Sequence, residues 1–292
     1  MKLNVKLGVQ PGTKPGAEPS TNGGSGTDET AYAYTGGKAF DPTLPCLVLV
    51  HGALHDHSTF NLLARWFAHH GHAVLAVDLP GHGQSSGAPL STVEDAASWL
   101  WALLDAAGVQ RAALAGHSLG SLIALQAAAD QPGRATQLVM IGTAVPMPVG
   151  EALLRIAREE PLKAIDMVNA FSISSLASKP GFPGPGNWLH GANRALMRRT
   201  LAQAQQRLGI NLFEHDFSMC NRYLGGLDAA ARVLCPSTLV LGARDQMTLP
   251  KGAGAVAAAL KAHVVSLPSG HHLMAEVPDA VLAAMRGALQ AG

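Results

Sequence analysis

Charge is what this sequence has least of. Asp, Glu, Lys and Arg make up 14% of its 292 residues, against about 25% in an average globular protein. A disordered chain needs the opposite balance, with many charges and few apolar groups; here hydrophobic residues reach 48%. Neither sign dominates: 21 Lys and Arg face 20 Asp and Glu, a formal +1. That balance gives no general attraction to nucleic acid or to an anionic lipid surface. Three scattered cysteines, Cys46, Cys220 and Cys235, cannot make a disulfide framework or a cysteine zinc site, and they fit a reducing, cytoplasmic setting. No apolar run approaches the roughly 18 residues of a spanning helix. The basic start MKLNVKLGVQPG leads into no apolar stretch, so no secretory signal is expected.

The first 30 residues are expected to form a flexible tail. Gly8 to Thr30 is rich in Gly, Pro, Ser and Thr, without apolar periodicity. From Leu44 the pattern changes. Apolar strand-sized runs at Cys46–Val50, His72–Asp78, Arg111–Gly116 and Gln137–Ile141 alternate with helical segments at Leu62–His70, Ser91–Ala107 and Leu119–Asp130. Ser91 and Glu94 have the spacing of a capping box. The rhythm returns with strands at Ser237–Leu241 and His263–Leu267 and helices at Ala253–Leu260 and Asp279–Gln290. Continuous apolar strands alternating with helices predict an α/β fold, a mostly parallel sheet covered on both faces. Between 146 and 231 there are helical stretches, Glu151–Glu160 and Ala192–Leu208, but no strand-like run. A helical cap over 146–231, inserted into a core of 31–145 and 232–292, is therefore expected.

Gly116-His117-Ser118-Leu119-Gly120 is the segment richest in chemistry. It places G-x-S-x-G between a strand and a helix, the context that makes this motif a nucleophile turn. Small neighbours give the strained serine room. The helix that follows offers N–H groups, Leu119 first, to a developing oxyanion. In the bland reading Ser118 only caps that helix. A serine nucleophile needs a base, and the base an orienting carboxylate, in the chain order Ser, acid, His. Asp245 stands just beyond the strand Thr238–Leu241, and His271-His272 follow the strand Val264–Leu267. The strand ending at Ile141 leads to no carboxylate. Asp78 breaks the order, and its DLPGHG setting suggests a structural turn.

These residues carry a resemblance. His51-Gly52 after a strand, Asp78 to Ser85 (DLPGHGQS), Gly116 to Gly120, and Gly270-His271 followed by Glu276 and Pro278 together resemble the α/β-hydrolase superfamily, in its serine-hydrolase branch with a helical cap. The likeness spans about Tyr32 to Gln290. It implies His271 rather than His272 as base, from the five-residue step to Glu276, with Glu276 anchoring the last helix. It implies Ala53 N–H as the second oxyanion donor beside Leu119 N–H. It implies that His51 and His117 hold loops. Serine at the nucleophile position sets the chain apart from the dehalogenases and epoxide hydrolases of that superfamily, which use aspartate.

The expected activity is hydrolysis of a carboxylic ester of a small to medium, mainly apolar substrate through an acyl-enzyme. The same triad serves thioester, lactone and carbon–carbon bond hydrolysis and cofactor-free perhydrolysis, and fold does not choose among them. The rival of another class is a ligand-binding protein on the same scaffold without the chemistry. The substrate pocket is expected from Leu54, His117, Met147, Phe171, Trp188, Met247 and His272. Further large apolar residues of the cap, Met167, Phe182, Phe213 and Met219, are expected mostly in its core. Thirteen histidines raise the question of a metal, and His55-Asp56-His57 sits on one loop. No H-E-x-x-H or Cys/His spacing is present, so no metal and no cofactor are expected, and His55 and His57 read as solvated loop residues, with lining of the pocket mouth as the alternative. Arg194, Arg198, Arg199 and Arg207 read as a solvated helix face. A monomer or homodimer acting on a small molecule completes the expectation.

Overall fold

The computed structural model describes residues 1–5, 30–174 and 185–290. Among these residues eight strands form one sheet: β1 (Lys2–Asn4), β2 (Thr30–Tyr34), β3 (Cys46–Val50), β4 (Ala73–Val77), β5 (Ala112–His117), β6 (Ala135–Ile141), β7 (Ser237–Gly242) and β8 (His263–Leu267). Their spatial order is β1-β2-β4-β3-β5-β6-β7-β8. The first two pairings, β1 with β2 and β2 with β4, are antiparallel. All the others are parallel. The helices are α1 (Asn61–Ala68), α2 (Val93–Ala106), α3 (Leu119–Asp130), α4 (Glu151–Glu159), α5 (Pro161–Ser172), α6 (Pro185–Leu208), α7 (Leu212–Arg222), α8 (Gly226–Arg232), α9 (Gly254–Leu260), α10 (Leu273–Glu276) and α11 (Pro278–Gln290).

Alternation along β3 explains the layering. Successive strand side chains point to opposite faces. Val48 and Val50 join the cluster that holds Trp99 and Leu100 of α2 and Leu122 of α3. Leu47 and Leu49 join the other, with Phe67 of α1 and Val281 and Met285 of α11. All four are fully buried, each worth about 1.5–3 kcal/mol relative to exposure. Helix α3 is buried on every side from Leu119 to Ala129. Its small residues let it lie close against the sheet.

Two expectations shift. Part of the expected tail is strand: Lys2–Asn4 pairs antiparallel with Thr30–Tyr32 of β2, Leu3 opposite Ala31, and Leu3 and Val5 are buried. The remainder of that tail, 6–29, lies outside the described residues. Helix α2 is capped by Thr92 rather than Ser91. The Thr92 hydroxyl accepts from Asp95 N, a contact worth about 1 kcal/mol. Among the described residues five helices, α4 to α8, stand between β6 and β7, and buried residues of theirs, Ala157, Ile165, Met197 and Phe213, continue the cluster under β3. No helix among the described residues is long and apolar enough to cross a membrane.

Candidate active site

The site lies where the parallel strands end. β5 runs into Ser118, whose φ of 52° and ψ of −120° turn the chain sharply into α3. A non-glycine residue there is strained by about 1–3 kcal/mol and persists only if its surroundings fix it. They do: Ser118 N donates to Ile141 O at 3.0 Å, and Ser118 O accepts from Ser121 N at 2.8 Å. The flanking glycines are needed for close approach. A methyl at Gly116 would collide with Gly120 O, and one at Gly120 with Val50 O.

The loop after β8 brings His271 to the same place. Its Nδ1 donates to Asp245 Oδ2 at 2.8 Å. Asp245, after β7, is saturated: Oδ1 accepts from Met247 N and Thr248 N, both at 2.8 Å, and Oδ2 also accepts from Thr248 Oγ1 at 2.7 Å. Burial works to raise the Asp245 carboxyl, but the adjoining His271 and these hydrogen bonds outweigh it and hold it below the usual range. His272 differs. Burial, reinforced by His55 and His117, drives it well below an ordinary histidine and keeps it neutral. With Nδ1 of His271 held by the carboxylate, Nε2 is left as the basic nitrogen. Glu276 braces this loop rather than the last helix: its Oε1 accepts from Gly270 N at 3.0 Å and Ser174 N at 3.2 Å. His117 Nε2 donates to His271 O at 2.9 Å. His51 donates through Nδ1 to Gly52 O and accepts through Nε2 from Leu79 N; burial pushes its pKa down to about 4.

The loop after β3 supplies Ala53. Among the described residues neither Ala53 N–H nor Leu119 N–H has an internal acceptor. The loop is tied to the helical insertion at three consecutive residues. Leu54, with φ of 58°, donates its N–H to Asp216 Oδ2 of α7 at 2.8 Å. His55 Nε2 donates to Asn193 Oδ1 of α6 at 2.9 Å, and Asp56 Oδ2 accepts from Arg199 of α6 at 2.8 Å.

A cavity of about 280 Å³ opens beside Ser118, at the lower edge of ligand-site volumes. Ala53, His117, His271 and His272 border it with Ser118, and its walls include Met147, Val168, Phe171, Met197, Phe217, Cys220 and Met247. Two expected pocket residues are elsewhere. Leu54 is fully buried, because its left-handed backbone turns the side chain into the core beneath the loop. Trp188, near the start of α6, is 82% exposed and takes no part in the wall. Phe182 lies outside the described residues. His55 is buried against the cavity rather than solvated, and Arg194 and Arg199 are paired with Asp166 and Asp56. Missed altogether were Thr248, which supports the acid, and the wall residues Val168, Met197, Phe217 and Cys220, ordinary apolar positions of amphipathic helices.

The two histidines of the loop after β3 face different ways. His55 points to the cavity and His57 donates to Asp78 Oδ1 at 2.8 Å. Asp56, His57 and Asp78 do converge, but their polar atoms are spent on Ser58, Arg199 and Gln84 as well as on one another.

The family model for alpha/beta hydrolases matches residues 47–284. This chain belongs to that family. Among curated relatives, the "Putative carbamate hydrolase RutD" of Klebsiella pneumoniae is 28% identical over 209 residues, 68% of this hydrolase and 74% of its relative. The sn-1-specific diacylglycerol lipase of Mus musculus is 34% identical over 102 residues, 35% of this chain and 33% of the lipase. The crystal structure of an enol-lactonase from Burkholderia xenovorans superposes with a TM-score of 0.74 at 20% identity, over 90% of this chain and 97% of that one. A thermophilic esterase from Thermogutta terrifontis gives 0.74 at 18% identity, over 99% and 97%. At such identities the solved structures speak for the fold of this hydrolase alone.

Proposed function

We propose that this hydrolase cleaves a carboxylic ester of a small to medium, mainly apolar substrate through an acyl-enzyme on Ser118. One observation carries the reading. A serine held at positive φ at a helix start shares a cavity with a histidine whose other nitrogen is bonded to a saturated, buried carboxylate. Asp245 fixes the tautomer of His271. His271 Nε2 takes the Ser118 proton as Oγ attacks the carbonyl carbon. The oxyanion settles between Ala53 N–H and Leu119 N–H, and the alcohol leaves with the proton from Nε2. Water then enters by the same route in reverse and frees the acid. The helices α4 to α8 act as a cap, and their methionines and phenylalanines receive the acyl chain. Methionine adapts to varied shapes. Relatives named for carbamate, glycerolipid and lactone chemistry support carbonyl hydrolysis in general.

A burst assay with p-nitrophenyl esters of graded acyl length tests this. Wild type should release a stoichiometric burst that Ser118→Ala abolishes, with kcat down by 10⁴-fold or more. Absence of both a burst and fluorophosphonate labelling of Ser118 would overturn the proposal in favour of a ligand-binding protein.

A further inference from the structure

The most unusual polar group outside the site is Asp216. It is a carboxylate with no exposure at all, carried by cap helix α7. Carboxylates are almost never fully buried unless paired. Asp216 has three partners, and one of them is the backbone of the loop that bears Ala53. Oδ2 accepts from Leu54 N–H at 2.8 Å and from His82 Nε2 at 2.9 Å, and Oδ1 accepts from His215 Nδ1 at 3.1 Å.

Leu54 needs such a partner. Its φ of 58° is unfavourable for a branched residue, and the amide that Asp216 holds belongs to the peptide unit joining Ala53 to Leu54. We propose that Asp216 is a positioning residue for the oxyanion donor: by holding Leu54 N–H from the cap, it sets the orientation of the neighbouring Ala53 N–H at the cavity. This rests on the serine mechanism proposed above. The two ties that follow, His55 to Asn193 and Asp56 to Arg199, fasten the rest of the loop to the cap in the same way.

The charge of Asp216 would oppose a developing oxyanion if it stood alone. His82 removes that conflict. Its Nδ1 faces Pro80 O at 3.0 Å while Nε2 faces Asp216. Both neighbours are acceptors, so the ring holds both protons and the pair is neutral as a whole. The same Asp216 therefore orients the loop without placing net charge beside it. The consequence is a coupling: the donor is complete only when the cap is seated on the core.

The test separates holding the loop from docking the cap. An aliphatic trifluoromethyl ketone and its matching trifluoromethyl carbinol are compared as inhibitors of ester turnover by the full chain. Ser118 Oγ adds to the ketone carbon, its proton passes to His271 Nε2, and the carbonyl π pair becomes the oxyanion. The carbinol fills the same space with no oxyanion. Asp216→Ala should lower the preference for ketone over carbinol on the order of 10²-fold, with kcat falling alongside and KM within about threefold. Asp216→Asn keeps an acceptor for Leu54 N–H and should recover the preference to within about tenfold. Should the alanine variant fail to fold, Asp216→Ser, too short to reach Leu54 N–H, is measured the same way. A wild-type ketone preference and kcat in the alanine or serine variant, with only KM or melting temperature changed, would overturn the proposal and leave Asp216 a docking group. A wild type that shows no preference for the ketone would remove the serine mechanism itself, and this proposal with it.

Discussion

Replacing Gly120 by alanine probes the seam between β3 and α3, which carries both candidate oxyanion donors. A Cβ at Gly120 would stand 2.1 Å from Val50 O and 2.5 Å from His51 O. Real Cβ contacts begin near 3.0 Å, so the start of α3 must retreat from the end of β3 by about 1 Å. Neither side yields easily. Val50 is paired in the middle of the sheet with β4 and β5, and α3 has no exposed face toward which it can shift. Overpacking of this kind costs about 1–3 kcal/mol, a loss of about 2–12 °C in Tm for a chain of this size. The larger effect is on rate. Leu119 N–H moves with α3 while Ala53 N–H stays with β3, and a 1 Å misplacement of reacting groups costs about 10²-fold. Steady-state turnover of the preferred p-nitrophenyl ester, with a thermal melt on the same preparation, reads both quantities. A Gly120→Ala variant with wild-type kcat would refute the reasoning, since the close approach would then have no bearing on the chemistry.

Asp245→Asn should leave the fold intact and lower kcat by about 10⁴-fold, because an amide at that place favours the wrong tautomer of His271; kcat within tenfold of wild type would show that another group orients the base. Acid should destabilise the protein sharply. Burial lowers the pKa of His51, His55, His117 and His272 in the fold, so the unfolded chain takes up their protons first as pH falls below about 6.5. Each such proton tilts the balance toward unfolding by about 1.4 kcal/mol per pH unit. His82 runs the other way: burial lowers its pKa, but the charge of Asp216 and the hydrogen bonds to Asp216 and Pro80 together outweigh burial and raise it in the fold, so its stabilising share is gained as pH falls toward about 6.5 and stays constant below that. Urea denaturation at pH 7, 6 and 5 measures the sum, and an unchanged midpoint across that range would contradict it.

Much of the architecture was legible because parallel strands are buried on both faces and so read as unbroken apolar runs. Cys46–Val50 stands where such a run lies, the edge strand His263–Leu267 is found at its expected place although most of it is exposed, and α3 begins and ends where the motif and Asp130 placed it. Strand β2 was missed although TAYAY alternates, its buried positions being alanines too small to stand out. The three-residue β1 carries no periodicity at all. The positions of Ser118, Asp245 and His271 in the chain were readable because each follows a strand end. The pocket wall was not. Trp188 and Phe171 have equal claims by composition, and only the packing of α5 and α6 puts one at the cavity and the other in solvent. Asp216 had no signal either. It looks like any helix acid in LFEHDFSMCNR, and its partner Leu54 is 162 residues away.

The place of helices α4 to α8 between β6 and β7 also has a meaning for biosynthesis. Leu138 pairs with Ser237, about a hundred residues later, so β6 waits for its neighbour while the whole insertion is made. Chains lengthen at roughly 5–20 residues per second. During that interval the emerging chain already contains Ser118 and both candidate donors, but neither Asp245 nor His271. On the mechanism proposed above, that is a nucleophile without a base. Activity would then arise only with the final strands, β7 and β8, after helices α4 to α8 exist, and a half-made molecule would be kept from acting on any ester around it.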